Sequence, residues 1–204
     1  MRDRLEDLWT ESICELLKKE LDSNKYEISC FEKVPYSIFV NGYKNGIEDL
    51  EMLKYEVDLL IKEKRNNYSV PRLIIESKYK KISTHDAITY SDKAKCHKDI
   101  FCGLRYGIMV GNSNDKCVPS RMLNHGNDFD FMFVFQDDKP NDEEWNLFVD
   151  VIKRNLESAN KFEDIIKERR LRDKKRYFCI ESDLKFYEKN NCIKWAIILR
   201  DRFK

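Results

Sequence analysis

No stretch of this chain approaches the roughly 20 consecutive apolar residues that a membrane-spanning helix needs, so no span is expected. No repeat, low-complexity tract or long linker divides it. The amino terminus runs from Met1-Arg2-Asp3-Arg4 straight into an amphipathic pattern, unlike a signal peptide. Among the seven cysteines there is no Cys-x-x-Cys pair. Cys14, Cys30, Cys96, Cys102, Cys117, Cys179 and Cys192 stand singly inside apolar patterns, which fits reduced thiols in a cytoplasmic protein better than disulfides. Cys96, His97 and Cys102 lack zinc-ligand spacing. What remains is a chain of 204 residues, enough for one domain with a real core.

The net charge of +1 conceals strong segregation. Residues 1–61 hold 8 Lys/Arg against 14 Asp/Glu, and residues 62–123 hold 13 against 6. Residues 124–164 hold 4 against 11, and residues 165–204 hold 13 against 6. Two basic blocks therefore alternate with two acidic ones. A nucleic-acid partner needs basic charge only where it docks, so a near-zero total does not argue against one. Complementary surfaces in an oligomer would use the same segregation.

Two apolar runs carry charge where a buried strand normally excludes it: Tyr55-Glu56-Val57-Asp58-Leu59-Leu60-Ile61 and Arg72-Leu73-Ile74-Ile75-Glu76-Ser77-Lys78. Between them Lys62–Pro71 is polar, contains Asn66-Asn67 and ends in proline, which is turn chemistry. Asp58 and Glu76 each lie nine positions from Asn67. An antiparallel hairpin centred there sets the two carboxylates side by side, give or take a bulge. Glu76 and Lys78 share a face because strand side chains alternate with period two.

Two adjacent buried carboxylates repel and cost several kcal/mol without a counter-ion. Mg²⁺ takes one or two carboxylates together with waters and phosphate oxygens, so a metal accounts for the pair. Lys78 beside it suits orienting a water and offsetting charge on a phosphate under attack. Glu76-Ser77-Lys78 is the only Glu-x-Lys in the chain. Asp-x-Lys occurs at Asp137, Asp173 and Asp183, of which Asp183-Leu184-Lys185 alone has strand-like surroundings.

The order helix, strand, Val57-Asp58 strand, Ile74-Ile75-Glu76-Ser77-Lys78 strand, helix, strand resembles the PD-(D/E)XK nuclease superfamily over residues 1–135. Within it the likeness is to small type II restriction endonucleases. Val57 stands where the family's proline would be. The resemblance implies metal ligation by Asp58, Glu76 and the carbonyl of Ser77, with Lys78 as the catalytic lysine. It also implies an α/β fold: a restriction-endonuclease-like mixed sheet flanked by helices, with a C-terminal helical and β-hairpin elaboration. Family members often add a glutamate from the first helix. Residues 3–22 form that helix, with Leu5, Leu8, Trp9, Ile13, Leu16 and Leu17 as its apolar stripe. Glu6 shares a row with Trp9, Ile13 and Leu17 and is the first candidate to reach the metal, ahead of Glu15 and Glu11.

A second helix, His85–Phe101, follows Thr84 as N-cap. Ala87, Ser91, Ala94 and Phe101 form its packing face, while Tyr90, Lys93 and His97 lie along another. In this superfamily such a helix often carries a lysine or tyrosine toward the phosphate, which makes Lys93 and Tyr90 candidates for DNA contact and leaves His97 a structural residue. Arg105–Gly111 and Phe129–Phe135 read as further strands, separated by a polar loop over residues 112–127. One helix is expected from Asp142 through Leu156 and another through Phe162 and Ile166. A basic run follows, in which Arg169, Arg170, Arg172, Lys174, Lys175 and Arg176 suit a DNA backbone or a helix C-terminus. Residues 177–199 read as a terminal β-hairpin around Asn190-Asn191.

The expectation is a nuclease core over residues 1–140 with residues 141–204 belonging to the same domain. It would be a Mg²⁺-dependent endonuclease acting on double-stranded DNA, a homodimer, with a DNA methyltransferase as a genetic partner. A structure-directed repair or mobile-element nuclease, or a DNA-binding subunit without catalysis, are the alternatives.

Overall fold

The computed structural model describes residues 4–115 and 117–170, the last three of these as backbone only. Helix α1 (Arg4–Glu20) is followed by β1 (Tyr26–Lys44), β2 (Ile47–Lys64), β3 (Ser69–Tyr79), α2 (Thr84–Ile100), β4 (Arg105–Gly111), α3 (Ser120–His125), β5 (Phe131–Val134) and α4 (Asp142–Arg170). The strands form one mixed sheet in the order β1-β2-β3-β4-β5. The first three pair antiparallel and the last three parallel. Parallel strands need a crossover, and α2 supplies it between β3 and β4. The fold is therefore mixed α/β, a five-stranded sheet flanked by helices.

Alternation along the strands divides the core into two. Leu59, Ile61, Leu73, Ile75 and Met109 pack with Trp9, Ile13, Cys14 and Leu17 of α1 and with Phe148, Val149, Ile152 and Leu156 of α4. Leu60, Ile74, Tyr106, Ile108 and Val110 pack with Ala87 and Ala94 of α2 and Met122 of α3. Each sheet face must be covered to bury its runs of valine, leucine and isoleucine.

The β2–β3 register pairs Leu59 with Ile75, Leu60 with Ile74 and Ile61 with Leu73, then shifts by one at a bulge before Lys62. Inside the bulge the pairing is centred on position 67, so one further step sets Asp58 level with Glu76. The expected juxtaposition holds, and the bulge falls on the turn side of it. The β1–β2 ribbon is far longer than a typical strand pair, at 19 and 18 residues. Its tip, Asn45-Gly46, is a two-residue turn that needs positive φ at both positions, and they have 53° and 80°.

Several expectations are corrected. In α1 the apolar residues Trp9, Ile13, Cys14 and Leu17 are buried together with Thr10, while Leu5, Leu8 and Leu16 are exposed. The helix has two apolar rows, and the sheet covers one. Helix α2 starts a residue earlier than expected: Ser83, not Thr84, is the N-cap, in a reciprocal capping box with Asp86. His97 rather than Phe101 completes its buried face. The 112–127 segment is no open loop, since it contains α3 and buries Met122 and Val118. The two helices expected after Asp142 are one continuous helix of 29 residues, because nothing between Leu156 and Phe162 breaks it. The terminal hairpin, the Asp183-Lys185 rival, Arg172, Lys174, Lys175, Arg176 and the side chains of Arg169 and Arg170 lie outside the described residues.

Gly111 at the end of β4 fixes where α1 sits. A Cβ there would lie 2.3 Å from the Trp9 ring, and Trp9 is one turn from Glu6 on the helix that reaches the candidate site. Gly111→Ala is expected to push α1 outward and lower stability by about 1–3 kcal/mol, as overpacking does. Urea denaturation measures the loss, and it should exceed that of Gly46→Ala in the exposed turn.

Candidate active site

The site lies where the β2–β3 pairing stops. Past Leu59–Ile75 the next backbone donor, the Ser77 N–H, is taken by the side chain of Asp58: Ser77 N donates to Asp58 Oδ2 at 2.8 Å, and Ser77 Oγ is 3.1 Å from the same oxygen. On the far side β1 and β2 skip one step, with no pair between Cys30–Leu59 and Glu32–Val57, and Phe31 there has a positive φ of 55°. Ser77 in turn lies 2.7 Å from Thr10 Oγ1, which bonds the Glu6 carbonyl. This chain of buried hydroxyls joins α1 to β3.

Glu76 is only 1% exposed. Its Oε1 accepts a 2.5 Å hydrogen bond from the hydroxyl of Tyr106 on β4. Burial first, and the charge of Asp58 second, push its pKa up to about 8, against which the charge of Lys93 and the Tyr106 bond pull only in part. Burial and the same carboxylate raise the Tyr106 hydroxyl well above its ordinary value. At neutral pH the metal-free pair of Asp58 and Glu76 therefore keeps a proton.

Lys78 Nζ donates to Glu6 Oε1 at 2.9 Å, and the Tyr79 N–H donates to Glu6 Oε2 at 3.1 Å. Burial works against the Lys78 ammonium, but the bond to Glu6 and the neighbouring Tyr90 outweigh it and hold its pKa above the ordinary lysine value. At Glu6 the balance goes the other way: burial, aided by the charge of Asp58, outweighs Lys78 and raises the carboxyl. Lys78 stays charged, and burial makes Glu6 a weaker acid than a free glutamate. Lys78 Nζ also sits 5.2 Å from the Tyr90 ring centre, and Lys93 Nζ is 4.9 Å from that ring and 5.1 Å from that of Tyr55. Two cations thus flank Tyr90 beside two acidic strands, an arrangement stabilised by cation–π attraction.

The structure brings Asp58, Glu76, Ser77, Lys78, Glu6, Tyr90 and Lys93 together at one place. Glu6 is the first-helix glutamate at the site. Glu11 is exposed, and Glu15 is exposed and pairs with Lys18. His97 lies in the core, where its Nδ1 donates to the Pro35 carbonyl at 2.9 Å and its ring stacks near Tyr106. Tyr106 and Thr10 went unrecognised in the sequence. Tyr106 reads there as an ordinary core-strand residue, and its reach to Glu76 depends on a parallel pairing made across a crossover.

Asp58 and Glu76 offer hard carboxylate oxygens, and the Ser77 carbonyl follows directly on β3. That donor set fits Mg²⁺ or Mn²⁺ with waters completing the shell. Among the described residues no group of three or more His, Cys, Asp or Glu is set to hold a metal.

The raised Glu76 pKa has a defined sign. Its stabilising proton is fully bound below the unfolded value of 4.5 and is lost as pH rises through about 8. The metal-free protein is expected to lose melting temperature between those limits. Glu76→Gln should flatten the slope and melt higher than the native chain above pH 8, which differential scanning calorimetry would measure.

No family model and no curated protein matches the sequence. Three chains of known structure match, among them a pre-specific restriction endonuclease, BsaWI, in its crystal structure with DNA. It is 22% identical, over 56% of this chain and 43% of that one, with a TM-score of 0.34. The match spans less than half the length of that enzyme. Among the described residues no helix is long and apolar enough to cross a membrane. Cys14, Cys30, Cys96, Cys102 and Cys117 are free thiols.

Proposed function

We propose that this chain is a Mg²⁺-dependent endonuclease of restriction-endonuclease type, with a PD-(D/E)XK arrangement, that hydrolyses phosphodiester bonds of double-stranded DNA. The observation that carries the reading is the convergence of Asp58 and Glu76 with Lys78 and Lys93 on one buried strand end. In this reading Asp58, Glu76 and the Ser77 carbonyl hold the metal, which supplies charge to polarise a phosphate and lower the pKa of a bound water.

The chain's own groups do the rest. Lys78, kept charged by Glu6, orients the attacking water and offsets charge on the phosphate. Lys93, set between Tyr55 and Tyr90, offers a second cation to the strand. Tyr106 fixes the rotamer of Glu76, and Thr10 and Ser77 fix α1 against the site. Glu6 acts through Lys78, and a direct metal role for it is the second option. The basic residues Arg169, Arg170, Arg172, Lys174, Lys175 and Arg176 are proposed to hold the DNA backbone. Residues 1–140 would form the nuclease core, with 141–204 in the same domain. A homodimer places one site on each strand of a duplex, and a cognate methyltransferase would protect host DNA.

A cut map tests the reading. Ends at fixed positions on several unmodified DNAs in Mg²⁺ support a sequence-specific restriction enzyme. Cuts that follow flaps, junctions or mismatches support a structure-directed repair or mobile-element nuclease. Cleavage of RNA alone would overturn the choice of substrate.

A further inference from the structure

The outer half of the β1–β2 ribbon is largely exposed, and one of its faces is aliphatic. The register pairs Ile38 with Met52 and Val40 with Leu50, and cross-strand partners share a face. These four side chains are exposed by 47%, 54%, 57% and 53%. Tyr43, paired with Glu48, joins the same face at the tip and is 70% exposed. A two-stranded ribbon is marginal by itself in water, and a contiguous apolar patch on an otherwise charged chain marks a contact surface.

The charges around the patch select its occupant. Residues 37–54 carry Glu48, Asp49 and Glu51 against Lys44 and Lys54, so the arm has no attraction for a phosphate backbone. Along β2 alternate positions read Glu48, Leu50, Met52, Lys54 on this one face. The acid and the base lie equally far on either side of position 51. A two-fold axis through that level turns the ribbon onto itself, so that Leu50 meets Met52 and Glu48 meets Lys54 of a second copy, twice. The opposite face, with Phe39 paired to Glu51 and Ser37 to Leu53, has no such symmetry.

We infer that a second copy of this chain docks here, ribbon on ribbon, through Ile38, Val40, Leu50 and Met52, with Glu48 and Lys54 setting the register. The face is isologous, as a closed dimer requires. The surface gives the homodimer of the nuclease reading a physical seat, but it stands on the ribbon's own pattern and does not need catalysis.

The test is sedimentation equilibrium of the full chain without DNA or metal, at micromolar concentration, with circular dichroism to check folding. The native protein is expected at twice its 24.6 kDa chain mass. Leu50→Ser with Met52→Ser should give a folded monomer. Lys54→Glu should weaken the dimer about tenfold or more by setting like charges together, and adding Glu48→Lys should restore it. Phe39→Ser, on the other face, should leave the mass unchanged. A native monomer overturns the inference. So do a dimer indifferent to the Leu50 and Met52 changes, a charge swap that fails to restore, or equal loss in Phe39→Ser. Absence of DNA cleavage with this dimer intact would count against the nuclease reading alone.

Discussion

Lys78→Ala is expected to slow Mg²⁺-dependent cleavage by about 10²–10³-fold, the usual loss when one charge-stabilising donor is removed from a reacting phosphate or carbonyl. DNA retention should change little, because Lys93 and the basic blocks remain. The loss follows from the charge state of Lys78. Its bond to Glu6 and its place beside Tyr90 keep the ammonium protonated despite burial. The substitution also strips Glu6 of its cation, leaving it the Tyr79 N–H, so a modest drop in melting temperature accompanies the loss. Lys78→Met combined with Glu6→Gln removes both charges and separates the two effects. That pair should melt near the native protein and still fail to cut. Single-turnover cleavage rates measure it, and a rate within a few fold of native would remove Lys78 from the chemistry.

The largest effect on stability is expected at Arg72. This side chain is completely buried, yet it begins an apolar strand run. It donates to Glu63 at 2.8 Å and 3.1 Å and also to Glu163, while Arg65 bonds the same two glutamates. The four residues tie β2 and β3 to α4 at the end of the sheet away from the site. Although burial opposes it, Arg65 and Arg72 hold the Glu163 carboxyl down at about 2. Arg72→Ala leaves two poorly hydrated carboxylates sharing one arginine above a cavity. Breaking a buried pair in this way costs about 3–5 kcal/mol. Urea denaturation should show that loss with the denaturant slope unchanged. A change below about 1 kcal/mol would mean that solvent reaches the network and screens it.

The part of the fold that holds the site was legible because it is local. Asp58 and Glu76 sit symmetrically about Asn67 in a hairpin, and a hairpin's register can be counted from its turn. Glu6 was reachable for a similar reason, since it lies in the same helical row as Trp9 and Ile13. The failures share a different cause. A helical wheel shows that Leu5, Leu8 and Leu16 are apolar but not which of two apolar rows the sheet will cover. Ile38-Phe39-Val40 breaks the period-two signal, so the long ribbon left little trace beyond Asn45-Gly46 at its tip. Glu163 of α4 and Tyr106 of β4, which reach Arg72 and Glu76, lie far along the chain, and no local pattern announces them. The continuity of α4 shows that an absence of breakers was better evidence than a shift in apolar spacing.

The central claim is that Asp58, Glu76 and Lys78 form a metal-dependent phosphodiesterase site. Its most direct test is incubation of supercoiled and linear DNA with the native chain and with Glu76→Gln, each in Mg²⁺ and in chelator. The account predicts discrete fragments from the native chain in Mg²⁺ only, and none from Glu76→Gln. DNA retained but uncut across varied unmodified substrates in Mg²⁺, or cutting that persists in chelator, would contradict it.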